Sequence, residues 1–193
     1  MREINLVAYT DSAAYNNGKK IPSLPEHSSS VGIILYGDSI ILGKSKFNPN
    51  TDNSYGELYA IYLILKKIYK LANQTDSHIN LILYSDSAYV VQSINDWIPH
   101  WKCKNWRNST GKEVAHKHLF EQIDSLLSSE CLDVIIYHIS GHINMNKPKD
   151  IEKALKRFKR FNGFEISVDE LEFHVTCNDI CDRYAKEKLR LNI

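Results

Sequence analysis

Apolar positions along the chain change period several times, and each change marks an element. Residues 4–10 (INLVAYT) form an apolar run rich in β-formers that ends at Asp11. Residues 31–36 (VGIILY) and 40–47 (IILGKSKF) repeat that texture. Gly37-Asp38-Ser39 between them suits a tight turn, so the two are expected to pair as a hairpin. Residues 15–30 hold Asn-Asn-Gly, two prolines and three consecutive serines, which read as a long loop. Leu58, Ile61, Tyr62, Leu65, Ile68, Leu71 and Ala72 then recur at three- and four-residue steps, with Lys66, Lys67 and Lys70 on the other side. That is an amphipathic helix, with Asn53 and Ser54 as candidate caps. Residues 79–84 (INLILY) do not alternate and read as a strand buried on both faces. A short helix over 87–96, a longer one over 113–129 and a fifth strand over 132–139 follow.

Beyond the fifth strand the pattern changes character. Ser140-Gly141-His142 leads into Ile151, Ala154, Leu155, Phe158 and Phe161 at helical spacing, set among Lys and Arg. Residues 165–172 (EISVDELE) carry only acidic charges, and a last helix runs from about Cys177 to Leu191. There is no repeat and no interdomain linker. The order of elements predicts one α/β domain over residues 1–193, with a mixed five-stranded sheet flanked by helices.

Composition narrows the class. The 193 residues are 43% hydrophobic and 24% charged, which excludes wholesale disorder and collagen-like sequence. No apolar run approaches the ~18 residues of a membrane span, and the first residues lack a signal-peptide h-region. Cys103, Cys131, Cys177 and Cys181 are scattered without a CxxC pair, so a reduced, cytoplasmic protein is expected. Net charge is +1, so only local charge can speak for a nucleic-acid partner.

Three carboxylates stand out by position. Asp11 interrupts the first strand's apolar run, Glu57 opens the long helix, and Asp86 ends the fourth strand. A buried acid costs desolvation energy unless it is paired or ligates a cation. Taken singly, each has a local explanation: an Asx turn at Asp11, a helix-dipole partner at Glu57, an N-cap at Asp86. Together with Asp182, beside an apolar face of the last helix, they suggest a shared site.

In combination these residues resemble the type 1 ribonuclease H family. Tyr-Thr-Asp11-Ser is similar to the family's first-strand motif. Asn53-Ser-Tyr-Gly-Glu57-Leu58 resembles N-x-x-x-E-L, and Tyr84-Ser-Asp86-Ser-Ala-Tyr89-Val90 resembles T-D-S-x-Y-V. Ser140-Gly141-His142 matches the loop carrying a family histidine, and Asn178-x-x-x-Asp182-x-x-Ala185 the closing N-x-x-x-D-x-L-A element. All five occur in order. Trp97-Ile-Pro-His-Trp101-Lys-Cys-Lys-Asn-Trp106 looks like the family's basic handle, and from Lys102 to Lys117 there are five Lys/Arg and one acid. Tryptophans interleaved with cations suit a nucleic-acid groove, and they equally suit a packed helix corner.

The resemblance implies a ribonuclease H-like fold and a monomeric, metal-dependent endonuclease. It would hydrolyse the RNA strand of RNA/DNA hybrids, leaving 3′-hydroxyl and 5′-phosphate ends. Two Mg²⁺ ions, with Mn²⁺ as substitute, would stabilise the displacement, and hard cations want oxygen ligands rather than Cys or His. By the same resemblance Asp11 bridges both ions, Asp86 binds the nucleophile side and Asp182 the leaving side. Glu57 adds a ligand or orders water and lies where the family recognises the 2′-hydroxyl, while His142 helps move protons or release product. Asn53, Trp97, Trp101, Lys102, Lys104, Trp106, Arg107 and Lys112 would contact the hybrid. Asp179 rivals Asp182 in sequence; motif spacing favours Asp182.

The pattern departs from the family at three places. Ser12-Ala13-Ala14 replaces the Gly-rich turn after the first aspartate. Ala88 stands where some relatives have glutamine, and Gly56 precedes Glu57. His142 and Asn178 are 35 residues apart, which marks an inserted helical segment at about 145–176, before the last helix. Residues 147–160 of it hold seven Lys/Arg against Asp150 and Glu152. The insert is expected to clamp substrate, to cover the active site, to bind a protein partner, or to sit as an ornament on the sheet edge whose cations the acidic strip neutralises. Two alternatives to hybrid cleavage stay open. One is a related nuclease acting on double-stranded RNA or branched DNA. The other is a catalytically silent hybrid-binding module.

Overall fold

The computed structural model describes residues 2–37 and 39–193. Five strands form one sheet in the order β3-β2-β1-β4-β5. They are β1 (Arg2–Tyr15), β2 (His27–Tyr36), β3 (Ser39–Pro49), β4 (Ser77–Ser85) and β5 (Leu132–His138). β1, β2 and β3 pair antiparallel, and β1, β4 and β5 pair parallel, so the sheet is mixed as expected. Asp38, central to the anticipated hairpin turn, lies outside the described residues; Gly37 beside it adopts φ +57°.

Helices cover both faces. α1 (Asn53–Thr75) lies on one, where Leu58, Ile61, Ile64, Leu65 and Ile68 pack with Leu6, Ala8, Ile34, Leu81 and Leu83. Each such side chain, fully buried, contributes about 1.5–3 kcal/mol. Its cap is Asp52, which accepts from the Tyr55 N–H at 2.7 Å, not the anticipated Asn53 or Ser54. α2 (Ala88–Gln92) passes through a π-helical turn (Ser93–Trp97) into α3 (Ile98–Cys103). α4 (Lys117–Leu127) packs beside α1. On the other face α6 (Val168–Arg190) lays Cys177, Cys181, Ala185 and Leu189 against Tyr9, Val31, Ile33 and Leu35. α5 (Pro148–Asn162) sits beside α6, with Ala154 and Phe158 buried.

Two sequence expectations need correction. Residues 15–30 are not all loop: Ser28-Ser29-Ser30 belong to β2, and only residues 16–26 lie between strands. The serines are fully buried and their hydroxyls are bonded: Ser29 to the Ala185 carbonyl at 2.6 Å, Ser30 to the Gly56 carbonyl at 2.7 Å, Ser28 with Thr51 at 2.7 Å. Small polar residues let helices approach a strand closely while every buried polar atom keeps a partner. The last helix also starts about two and a half turns early, at Val168. Ser167 and Glu170 form a reciprocal capping box, so most of the acidic strip opens α6, where acids complement the helix dipole.

Candidate active site

The two parallel strands β1 and β4 set the site. β1 continues past Asp11, whose side chain follows Tyr9 onto the α6 face. β4 ends at Ser85, leaving Asp86 just past the strand. Glu57 comes from the first turns of α1. One carboxylate oxygen from each of Asp11, Glu57 and Asp86 lies within 4.8 Å of the others. Asp11 and Glu57 are buried, at 4% and 7% exposure.

Supporting contacts fix the cluster. Ser12 Oγ donates to Glu57 Oε1 at 2.9 Å and to Asn53 Oδ1 at 3.0 Å. The Ser12 N–H donates to Asp11 Oδ1 at 2.7 Å, and Asn178 Nδ2 lies 3.4 Å from Asp11 Oδ2. A Cβ on Gly56 would stand 2.9 Å from Ser28 Cβ and 3.0 Å from Ser12 Cβ, so glycine there lets α1 approach and carry Glu57 inward. A Cβ on Gly141 would collide with Asp86 Oδ2, which gives the glycine of Ser140-Gly141-His142 a steric reason.

The electrostatics are those of a site built for cations. Burial, then repulsion from Asp86, pushes the Asp11 carboxyl up to about 8. Burial, then Asp11 and Asp86, holds Glu57 well above the ordinary carboxylate range. Burial also raises Asp86, with the neighbouring His142 opposing. Among the described residues, Glu57 Oε2 is buried with no hydrogen-bond partner. Three crowded carboxylates with an orphaned oxygen fit a hard divalent cation, which takes oxygen ligands and relieves their repulsion.

Asp182 lies across the adjoining cleft, lined also by Ser12, Asn53, His142, Lys20, Lys186 and Arg190. Its carboxylate is half-buried and bonds Lys186 one turn on at 2.6 Å, whereas its sequence rival Asp179 is exposed. His142 is exposed on the rim with φ +54°. Asn53 stands beside Glu57, its Nδ2 3.5 Å from Glu57 Oε1. Sequence reasoning did not single out Ser12, Gly141, Asn178 or Lys186 as working parts. Their signals were adjacency to Asp11 for Ser12 and the i, i+4 spacing of Asp182 and Lys186.

The handle residues divide. Lys104 and Arg107 line a groove of about 410 Å³ with Tyr89, Trp97 and His100, and Arg107 is braced by the Gly111 carbonyl at 2.8 Å. Lys112 is exposed on the same loop. Trp101 is buried among Trp97, Trp106 and Phe120, with 9% exposure, so its ring serves the core of the handle. Trp106 is half-buried against it, and Trp97 keeps a third of its surface in solvent. Lys102 is paired with Asp124 of α4 at 2.6 Å, turned away from that groove's lining.

Fold and site together define a class: a mixed-sheet α/β domain whose first and fourth strands and first helix gather three carboxylates at one point. Residues 3–160 match the RNase H family, and the chain belongs to that family. Ribonuclease H of Francisella philomiragia is 30% identical over 160 residues, covering 82% of this chain and 94% of the relative. Mouse ribonuclease H1 is 31% identical over 145 residues, covering 72% of this chain; the matched stretch is 44% of the mouse protein's length. In fold, LC9-RNase H1, a type 1 RNase H with the type 2 active-site motif, superposes with TM-score 0.60 at 14% identity, covering 94% of this chain and 86% of that one. LC11-RNase H1, solved in complex with RNA/DNA hybrid, superposes with TM-score 0.51 at 15% identity, covering 86% and 97%. The fold is therefore ribonuclease H-like. Among the described residues, no helix is long and apolar enough to cross a membrane.

Proposed function

We propose that this protein is a divalent-metal-dependent endonuclease that hydrolyses the RNA strand of RNA/DNA hybrids, leaving 3′-hydroxyl and 5′-phosphate ends. The observation that carries the reading is the convergence of Asp11, Glu57 and Asp86 within 4.8 Å. The relatives named ribonuclease H, and LC11-RNase H1, which was solved in complex with RNA/DNA hybrid, support this substrate class, and the handle groove supports a nucleic-acid partner.

Asp11, Glu57 and Asp86 would hold one ion in their shared space, and Asp182 would join Asp11 at a second. Bound there, Mg²⁺ or Mn²⁺ supplies charge stabilisation for the attacking and leaving oxygens. Ser12 and Asn53 keep Glu57 aimed at the cluster, and Gly141 leaves room for Asp86. His142, free on the rim, carries a proton to the leaving 3′ oxygen. Lys104, Arg107 and Lys112 meet backbone phosphates, which positions the duplex without reading its sequence.

The test is cleavage of end-labelled hybrid, double-stranded RNA and double-stranded DNA, side by side, with Mg²⁺ and with chelator. Cleavage of the RNA strand of the hybrid alone, abolished by chelator and by Asp86→Asn, is expected. Cutting of double-stranded RNA or DNA at equal rate, or binding with no cutting at all, overturns the reading.

A further inference from the structure

Among the described residues, the acidic strip neutralises a single cation of the insert, Lys159. Of its acids, Glu165 pairs with Lys159 at 2.6 Å, while Glu170 caps Ser167 and Asp169 sits in the first turn of α6. Glu152 takes Lys156 within α5. Among the described residues, Lys149, Lys153, Arg157 and Arg160 have no carboxylate at ion-pair distance; Arg157 instead reaches His138 Nε2 at 3.4 Å. These four recur at three- and four-residue steps, so they line one stripe about 17 Å long at 1.5 Å per residue. With Glu152 and Lys156 they form an open groove of about 530 Å³.

The C-terminal end of the stripe is anchored at the end of β5, the strand that leads to Gly141. Ala154 and Phe158 are buried beneath the stripe. Asn162 donates to the His138 carbonyl at 2.8 Å and accepts the His138 N–H at 2.9 Å, three residues before Gly141 abuts Asp86. The Arg157 and Arg160 guanidinium groups lie 5.5 and 5.4 Å from the Phe161 ring centroid, which fixes their heads. Arg160 also lines a second recess with Phe161, Gln92, Asn95 and Asp96. That recess is walled by the α2–π segment, whose first residue is two positions past Asp86. The C-terminal end of the stripe, at Arg160, therefore meets the segment that follows Asp86 in the chain.

From this we infer that α5 is a second phosphate-contacting surface: it grips the sugar-phosphate backbone of the duplex held in the cleft, through Lys149, Lys153, Arg157 and Arg160. The inference rests on the function proposed above and adds to it a footprint longer than cleft and handle alone. Unpaired, regularly spaced cations favour a polyanion of regular charge spacing over a protein partner, whose complementary surface would mix signs and apolar anchors.

The test compares three proteins by fluorescence anisotropy on a hybrid of two helical turns (about 20 base pairs), with chelator and between about 50 and 200 mM salt. They are the wild type, the triple variant Lys149→Ala/Lys153→Ala/Arg160→Ala, and a control, Lys66→Ala/Lys67→Ala/Lys70→Ala on α1. Arg157 is left intact because it touches His138. Each lost phosphate contact lowers the slope of log affinity against log salt by about 0.9, so the α5 variant should lose between two and three in slope. Its affinity at low salt should fall at least tenfold, while the α1 control stays within twofold of wild type. Lys149→Arg/Lys153→Arg should bind as wild type does, and circular dichroism checks the fold of each. A slope and affinity equal to wild type in the α5 variant overturn the inference and leave the face to a protein partner or to solvent. If the wild type binds but never cuts the hybrid, the proposed activity fails while the loss of slope still reports the surface.

Discussion

Replacing Asp11 by Asn should stabilise the metal-free protein while abolishing catalysis. The Asp11 carboxyl titrates at about 8 in the folded state, against an ordinary value near 4. Its folded value is raised, so its stabilising contribution is complete below pH 4 and is lost as pH rises through about 8. His138 and His174 act in the opposite sense. Burial lowers both to about 4, so their contribution is lost as pH falls below the unfolded value of about 6.5. Above about 8.5 the unfolded cysteines ionise while Cys177, pushed up by burial to about 11, does not. The clean window is therefore pH 6.5 to 8. There the folded state holds one more proton at Asp11, which alone makes stability fall by about 1.4 kcal/mol per pH unit, roughly 2 kcal/mol across the window; Glu57 and Asp86, also raised by burial, steepen the fall. Urea unfolding in chelator, repeated at half-unit pH steps, measures this. Asp11→Asn should make the fall shallower and unfold at higher urea than wild type at pH 8. Millimolar Mg²⁺ should raise wild-type stability at pH 8 and leave the variant nearly unchanged, because a ligand that binds only the folded state stabilises it by mass action. A metal-free wild type whose stability is flat or rising across the window, with Asp11→Asn no more stable, would refute the electrostatic account of the cluster.

Other perturbations follow from single contacts. Asp182→Asn should lower kcat at least a hundredfold, about 2.7 kcal/mol of transition-state stabilisation, whereas exposed Asp179→Asn should leave it within twofold; steady-state cleavage assays decide. Gly141→Ala should push Asp86 aside and cost at least tenfold in kcat without removing any ligand, with hybrid affinity in chelator unchanged. Lys104→Ala/Arg107→Ala should raise KM severalfold and flatten its salt dependence, whereas Lys102→Ala should lose only the half-exposed pair with Asp124, worth about 0–1 kcal/mol of thermal stability. Ser30→Ala would remove the acceptor of the buried Asn48 amide, 2.8 Å away, and a second bond to the Gly56 carbonyl, and should cost about 1–3 kcal/mol in urea unfolding.

Most of the sheet was legible because its strands are apolar on both faces, as in INLVAYT and INLILY, and β-formers leave little ambiguity there. The serine run was not. Three serines in a row carry no apolar signal, and their role depends on two helices more than 25 residues away in sequence. The first turns of α6 were hidden for a related reason: an acidic stretch looks solvated, and only the Ser167-x-x-Glu170 spacing marks it as a helix start. Asp11 was legible because an acid inside a strand pattern is anomalous, and Glu57 and Asp86 only through the motifs around them. The division of the handle was not, since Lys102 and Lys104 differ only in which side of a short helix they face. Asp124, the residue that claims Lys102, lies on a separate element.

The serines and the catalytic strand form one device. Residues 11 and 12 of β1 point to opposite faces, as do 29 and 30 of β2, and in register Ser12 faces Ser30 while Ala13 faces Ser29. On one face Asn178 of α6 reaches Asp11, and Ser29 bonds the Ala185 carbonyl of the same helix. On the other, Ser12 bonds Glu57 and Ser30 bonds the Gly56 carbonyl, adjacent residues of α1. Each helix is thus pinned to two neighbouring strands at the level of the cluster, by short hydroxyls and a buried amide that tolerate little displacement. Carboxylates that repel one another would otherwise drift apart, since an interior relaxes toward lower electrostatic energy wherever its elements can slide. Pinning α1 and α6 to adjacent positions of the same strands removes that freedom. It is the physical reason polar residues persist at the middle of an otherwise apolar sheet, and it explains why the strand run departs from apolar character only where the site begins.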